Sequence, residues 1–254
     1  MKYPNPLFTG MGQVTQAAIN DEINNYYPNA KQKGGAKRLD LLNDVENLDG
    51  LINFCINGYR AWDDAVLMGA GAYLKISNYE EEISDAKQYA KEEVKNYLSG
   101  MPFASQADYD NWHKEICTNL SDCHKYFQNY SAYRKASQDK FKNKYGFTIG
   151  NAQKFLNMLM KDLYTCLSKK NGSFNVNQYE NYFTYCHMPL DSYILRFADD
   201  IRFRKNIKSQ RNYTWSNLND YDDYMSEQTE IRKFVAGSAA TVLQTEFVVW
   251  PLYK

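Results

Sequence analysis

The chain has 254 residues, 44% of them hydrophobic and 24% charged, which is ample for a buried core and excludes wholesale disorder. Thirty acidic and thirty basic side chains cancel, so a uniformly basic polyanion binder is excluded. No run of about 18 apolar residues is present, so no transmembrane helix or membrane partner is expected. The N-terminal MKYPNPLFTGMGQ lacks a secretory pattern, and five irregularly spaced cysteines read as reduced thiols. Together these features predict a cytoplasmic protein.

In chain order, helical periodicity begins near Met11 and runs to Tyr26, through Val14, Ala18, Ile19 and Ile23. Residues 37–73 read as two or three helices, broken near Asp49-Gly50 and again at Gly69 and Gly71. Tyr79 to Leu98 is a charged amphipathic helix that stops at Ser99-Gly100. Ser105, with Asp108 three residues later, opens a helical stretch extending toward Lys144. Tyr145 to Gly150 is a tight turn between helices, and 171–183 is polar and irregular, suggesting a short hairpin. Pro189 opens a helix through Phe203, Ser216 caps another to Val235, and Ser238 starts the last. Strand signals are scarce, so the predicted class is all-α.

Charge is locally uneven. Arg202 to Arg211 carries five positive charges and no negative one, including Arg202, Arg204 and Lys205. A second basic run includes Lys140, Lys142 and Lys144. Either could hold a phosphate backbone at one face, although a solvated helix surface explains each equally well. His113, Cys117, Cys123 and His124 lack the second spaced pair of a closed zinc site, so no metal is expected.

Two segments carry chemistry. After the turn at Gly150, the apolar positions Ile149, Ala152, Leu156, Leu159, Met160, Leu163 and Leu167 form one helix face. Lys154, Asn157 and Lys161 line the other, at spacings of three and four. Amides at such a helix start can receive a phosphate, which makes Gly150 a candidate DNA contact. A surface helix with two solvated lysines is the plainer reading. Some thirty residues later, His187-Met188-Pro189-Leu190-Asp191 opens a helix, where an aspartate is stabilised as an anion.

These stretches, GFTIGNAQKFLNMLMK and MPLDSYIL, resemble the helix-hairpin-helix DNA glycosylase superfamily, and most closely its archaeal 8-oxoguanine glycosylase branch. The resemblance covers Tyr145 to Phe197. It places Lys154 at the nucleophile position and Asp191 at the catalytic aspartate, with Lys161 as the second lysine of that branch. Gly146 and Gly150 are more widely spaced than the usual hairpin glycines, so Lys154 and Lys161 both remain candidate nucleophiles.

The resemblance implies one helical domain over 1–254, made of two packed lobes with a cleft between them. It also implies a monomer that flips a modified base out of DNA, acting as a base-excision hydrolase with a possible second, lyase step. No cofactor is implied. The target would be oxidised guanine in repair, or a modified base of phage DNA in anti-phage defence. Among Trp62, Trp112, Trp215 and Trp250, the last, with Glu246 one turn earlier, is the candidate pocket wall; Trp215 reads as a staple on its own helix. His187 is a second pocket candidate, with a structural histidine as its plainer role. A non-catalytic helical DNA-binding protein and a helical interaction scaffold are the alternative readings.

Overall fold

The computed structural model describes residues 15–29, 42, 44–58, 61–66, 80–121, 147–170, 174–207 and 211–254. Among these the secondary structure is helical throughout, with no strand, in agreement with the expected class. No described helix is long and apolar enough to cross a membrane. Gly69, Gly71, Cys123, His124, Gly146 and the run with Lys140, Lys142 and Lys144 lie outside the described residues.

Helix α1 spans Gln16–Asn29 and buries Ile19 and Ile23. Helix α2, Leu48–Asn53, is capped by Asn47, whose side chain accepts from the Gly50 amide at 2.8 Å. The expected break at Asp49-Gly50 is therefore a first helical turn: an Asn cap satisfies the free amide, and the helix tolerates the glycine behind it. It continues as a π-turn over Phe54–Gly58, and α3 follows at Ala61–Val66.

Helix α4, Glu80–Ser99, buries Ala86, Ala90, Val94 and Tyr97 at helical spacing and stops where the Gly100 amide bonds the Asn96 carbonyl. Helix α5, Gln106–Ser121, begins as expected at Ser105, whose hydroxyl accepts from the Asp108 amide and donates to its carboxylate.

The centre of the molecule is α6, Ile149–Lys169, in which 18 of 21 residues are buried. Helices α2, α3 and α5 pack against it. A helix buried all round cannot present a solvated stripe, so the expectation that Asn157 and Lys161 face water is overturned. Six fully buried side chains, Phe155, Leu156, Leu159, Met160, Leu163 and Leu167, each contribute about 1.5–3 kcal/mol to folding.

The expected hairpin at 171–183 is helical where it is described: α7 covers Val176–Tyr179 and a 3-10 turn follows at Glu180–Phe183. Helix α8, Ser192–Arg204, has Asp191 as its cap, so Pro189 falls three residues short of the first helical position that its helix-opening role would give it. A 3-10 turn at Trp215–Asn217 takes the place of the helix start expected at Ser216. Helix α9, Tyr221–Val235, is capped by Asp220, and α10, Val242–Tyr253, by Thr241 rather than Ser238. Helices α8, α9 and α10 pack on one another, and α1 lies against α10.

Candidate active site

The start of α6 is fixed by a reciprocal cap. The Thr148 hydroxyl accepts from the Asn151 amide and the Asn151 side chain accepts from the Thr148 amide, each at 3.1 Å. Gly150 is the second helical residue. A Cβ there would sit 1.6 Å from the Trp215 carbonyl oxygen, so only glycine admits the 3-10 turn this close. Its N–H donates to the Leu218 carbonyl at 2.8 Å. That amide is committed within the chain and does not offer the phosphate contact expected of it.

One turn on, Lys154 is half-buried with Nζ 4.2 Å from the Trp215 ring centroid, a cation–π geometry. Trp215 thus reaches across to α6 rather than stapling a helix of its own. Lys161, two turns further, has 2% of its surface exposed. Its Nζ lies 2.5 Å from Glu246 Oε2 and 4.9 Å from the Phe247 ring centroid. Burial pushes the Glu246 carboxyl above its ordinary value, and the attraction of Lys161 opposes that shift.

Asp191 is held at both oxygens. Oδ1 accepts from the Tyr193 and Ile194 amides at 2.9 and 3.0 Å, the donors a helix start leaves open. Oδ2 accepts from Trp250 Nε1 at 2.9 Å. Glu246 and Trp250 are one turn apart on α10, so this helix offers a carboxylate to Lys161 and an indole N–H to Asp191. Glu246 also lies within electrostatic reach of both Asp191 and Lys154. Lys154, Lys161, Asp191, Glu246 and Trp250 therefore share one neighbourhood, assembled from α6, the α8 cap and α10. Sequence reasoning took Glu246 only as a neighbour of Trp250. Its place one turn before Trp250 was visible, but its pairing with Lys161 depends on packing 85 positions away.

Asn157 belongs to a second, largely buried polar network. Its Nδ2 donates to Gln153 Oε1 and to the Tyr224 hydroxyl, and its Oδ1 accepts from His113 Nε2 at 3.1 Å. His187 closes the network, with Nδ1 2.6 Å from the Tyr224 hydroxyl and Nε2 2.8 Å from Asp110 Oδ1. Burial pushes His187 down to about 4 despite Asp110, and holds His113 well below the usual histidine value. Both rings are neutral at neutral pH. With no surface exposed and both nitrogens engaged, His187 has no edge left for a flipped base. His113 and Cys117 contact each other inside this network, and no group of three metal-ligating side chains occurs among the described residues.

The basic stretch at the end of α8 is drawn into the protein. Arg202 pairs with buried Glu227 at 2.8 Å, and Arg211 binds both Glu227 and Asp199. Lys205 pairs with Glu230 at 2.9 Å; Arg204 is exposed. Trp62 is buried between Phe147 and Phe155, and Trp112 packs against Tyr97 and Phe103.

The cluster at Asp191 supplies a fixed carboxylate, two amines and an indole face in one place. A carboxylate so placed can stabilise a developing cation, and an amine beside it can add to an electrophilic carbon. No protein-family model, curated protein or solved structure matches this chain.

Proposed function

We propose that this protein is a DNA glycosylase that releases a modified base through Lys154 and Asp191. The observation that supports it most is the convergence of these two residues, 37 positions apart in sequence, beside the Lys161–Glu246 pair and Trp250. In the proposed reaction the Lys154 amine bonds to the sugar C1′ as the glycosidic bond breaks. The departing base takes the electron pair and, by way of Asp191, the proton that the Lys154 amine gives up; Asp191 takes up the same proton when the amine adds to an abasic sugar. Asp191 stabilises the positive charge that develops on the sugar. Ring opening then gives a Schiff base, from which strand cleavage can follow.

The environment favours Lys154 over Lys161 as nucleophile. Lys161 is sealed from solvent in an ion pair, and drawing it out would leave Glu246 charged and buried. Lys154 is only half-buried, with its amine over the Trp215 face. DNA as partner, a cleft between two lobes, and oxidised guanine or a modified phage base as target belong to the same proposal. The exposed Arg204 is a candidate phosphate contact within the described basic stretch.

The test is borohydride trapping on DNA carrying an abasic site, which bypasses the unknown base. A covalent adduct is expected from the native protein and from Lys161→Gln that retains its fold, and none from Lys154→Gln. Adduct formation by Lys154→Gln would overturn the assignment of the nucleophile. No adduct from the native protein would remove the Schiff-base step.

A further inference from the structure

The stretch Met188–Asp191 is not part of any helix, yet Met188 and Leu190 are completely buried. Buried backbone outside regular structure needs partners for its N–H and C=O groups. Here two glutamine side chains provide them. Gln228, on α9, accepts from the Met188 amide at 3.3 Å and donates to the Met188 carbonyl at 2.7 Å. Gln153, on α6, accepts from the Leu190 amide at 3.1 Å and donates to the Leu190 carbonyl at 2.9 Å. Pro189, between them, has no N–H to satisfy. Each amide thus pairs both backbone groups of one residue, as a neighbouring strand would, and both glutamines are fully buried.

Gln153 also precedes Lys154 directly, and Leu190 directly precedes Asp191. We infer that Gln153 and Gln228 are positioning residues that clamp the Met188–Leu190 backbone and so fix where Asp191 stands relative to Lys154. The inference rests on the proposed glycosylase reading for its catalytic meaning, but the clamp itself does not. Gln153 is the more direct member, because one side chain ties the residue before the carboxylate to the helix that bears the amine. It is held in turn by Asn157, whose Nδ2 donates to Gln153 Oε1, and by the Gly150 carbonyl. The buried network behind Asn157 therefore orients the amide that orients Asp191.

The conservative variants Gln153→Glu and Gln228→Glu make a test that a general loss of packing would not mimic. A protonated glutamic acid keeps one acceptor for the backbone N–H and one donor for the backbone C=O, so it reproduces the clamp. Ionised, it turns an acceptor against the carbonyl and breaks it. Burial raises such a carboxyl from its free value near 4.3, which brings the switch into a workable range.

Single-turnover trapping on abasic DNA is measured from about pH 8 to about pH 5, as the ratio of each variant to native protein at the same pH. Gln153→Glu is expected to fall about a hundredfold below native at high pH and to recover most of that loss as pH falls, with DNA affinity little changed. Gln228→Glu is expected to follow the same course with a smaller amplitude. In parallel, the 15N–1H indole resonance of Trp250, assigned with Trp250→Phe, reports its bond to Asp191. It is expected to move in Gln153→Glu at high pH and return at low pH.

A ratio that is flat with pH, native trapping at high pH, or an unmoved indole resonance would overturn the clamp. So would loss of folding in both variants, since the clamp predicts a local displacement only. If native protein forms no adduct while the indole resonance still switches, the glycosylase reading fails and the clamp stands.

Discussion

The two ends of α8 use charge in opposite ways. At its start, Asp191 stands alone in sequence among apolar neighbours, and the fold gathers donors around it: two backbone amides and the Trp250 indole, with Glu246 and its lysines in the same neighbourhood. At its end, Arg202, Arg204 and Lys205 form part of the most basic stretch in the chain. The fold answers them with acids, Glu227 against Arg202 and Glu230 against Lys205. A single charge is surrounded by donors, and a cluster of charges is largely neutralised. Local charge density is therefore a poor guide to the charge this chain presents, because partners from distant helices decide what remains of it.

The strongest way to break that comparison is Asp191→Asn. Asparagine still accepts from the Tyr193 and Ile194 amides, but its NH2 cannot accept from Trp250 Nε1–H, so stability should fall by about 1–3 kcal/mol while the fold is kept. Loss of the negative charge should lower the trapping rate by at least about a hundredfold. Denaturant unfolding and single-turnover trapping on the same preparation check both halves. An unchanged rate would leave Asp191 as a helix cap and nothing more.

The opposite end should respond in stability instead. Glu227 is buried against Arg202, Arg211 and the Tyr213 hydroxyl. Burial alone would raise its carboxyl, but hydrogen bonds and charge from Arg211 and Arg202 outweigh that and hold it below the ordinary glutamate value of 4.5. A lowered folded-state value means the stabilisation is complete above 4.5 and is lost as pH falls below it. Glu227→Gln should cost about 3 kcal/mol at neutral pH, by leaving the Arg202 and Arg211 guanidinium groups to share Asp199 as their remaining counter-charge, and should blunt the loss of stability in acid. Urea midpoints at neutral and acid pH measure both effects. Trapping by the folded fraction should be preserved, which separates this end from the other.

What was legible in the sequence follows the same division. Helix existence came from periodicity and from caps whose signals are local, as at Ser105 and Gly100. The ends misread were those set by residues with several possible roles. Asn47, Asp220 and Thr241 took the caps, while Asp49-Gly50, Ser216 and Ser238 offered equally good local chemistry. Lys154 and Asp191 stood out because a turn, a lysine helix and a Pro-Leu-Asp start recur in one order. The partners that complete the neighbourhood could not be read. Glu246 pairs with Lys161, and Gln153 with Leu190, only through helix packing. The burial of Lys161 and Asn157 was hidden for the same reason. Their spacing on α6 is that of a polar stripe, and only the helices wrapped around it turn that stripe inward.

The smallest expected effect sharpens the comparison most finely. If the end of α8 contributes to DNA binding, Lys205 should do so weakly. Lys205 is tied to Glu230, which also holds Lys233. A cation already facing a carboxylate releases little counterion on meeting a phosphate, because its charge is partly compensated beforehand. Lys205→Ala should therefore weaken affinity for duplex DNA by less than about threefold and leave the slope of log affinity against log salt almost unchanged. Titrations at several salt concentrations measure both quantities. A large change in both would show that Glu230 gives up Lys205 to the DNA.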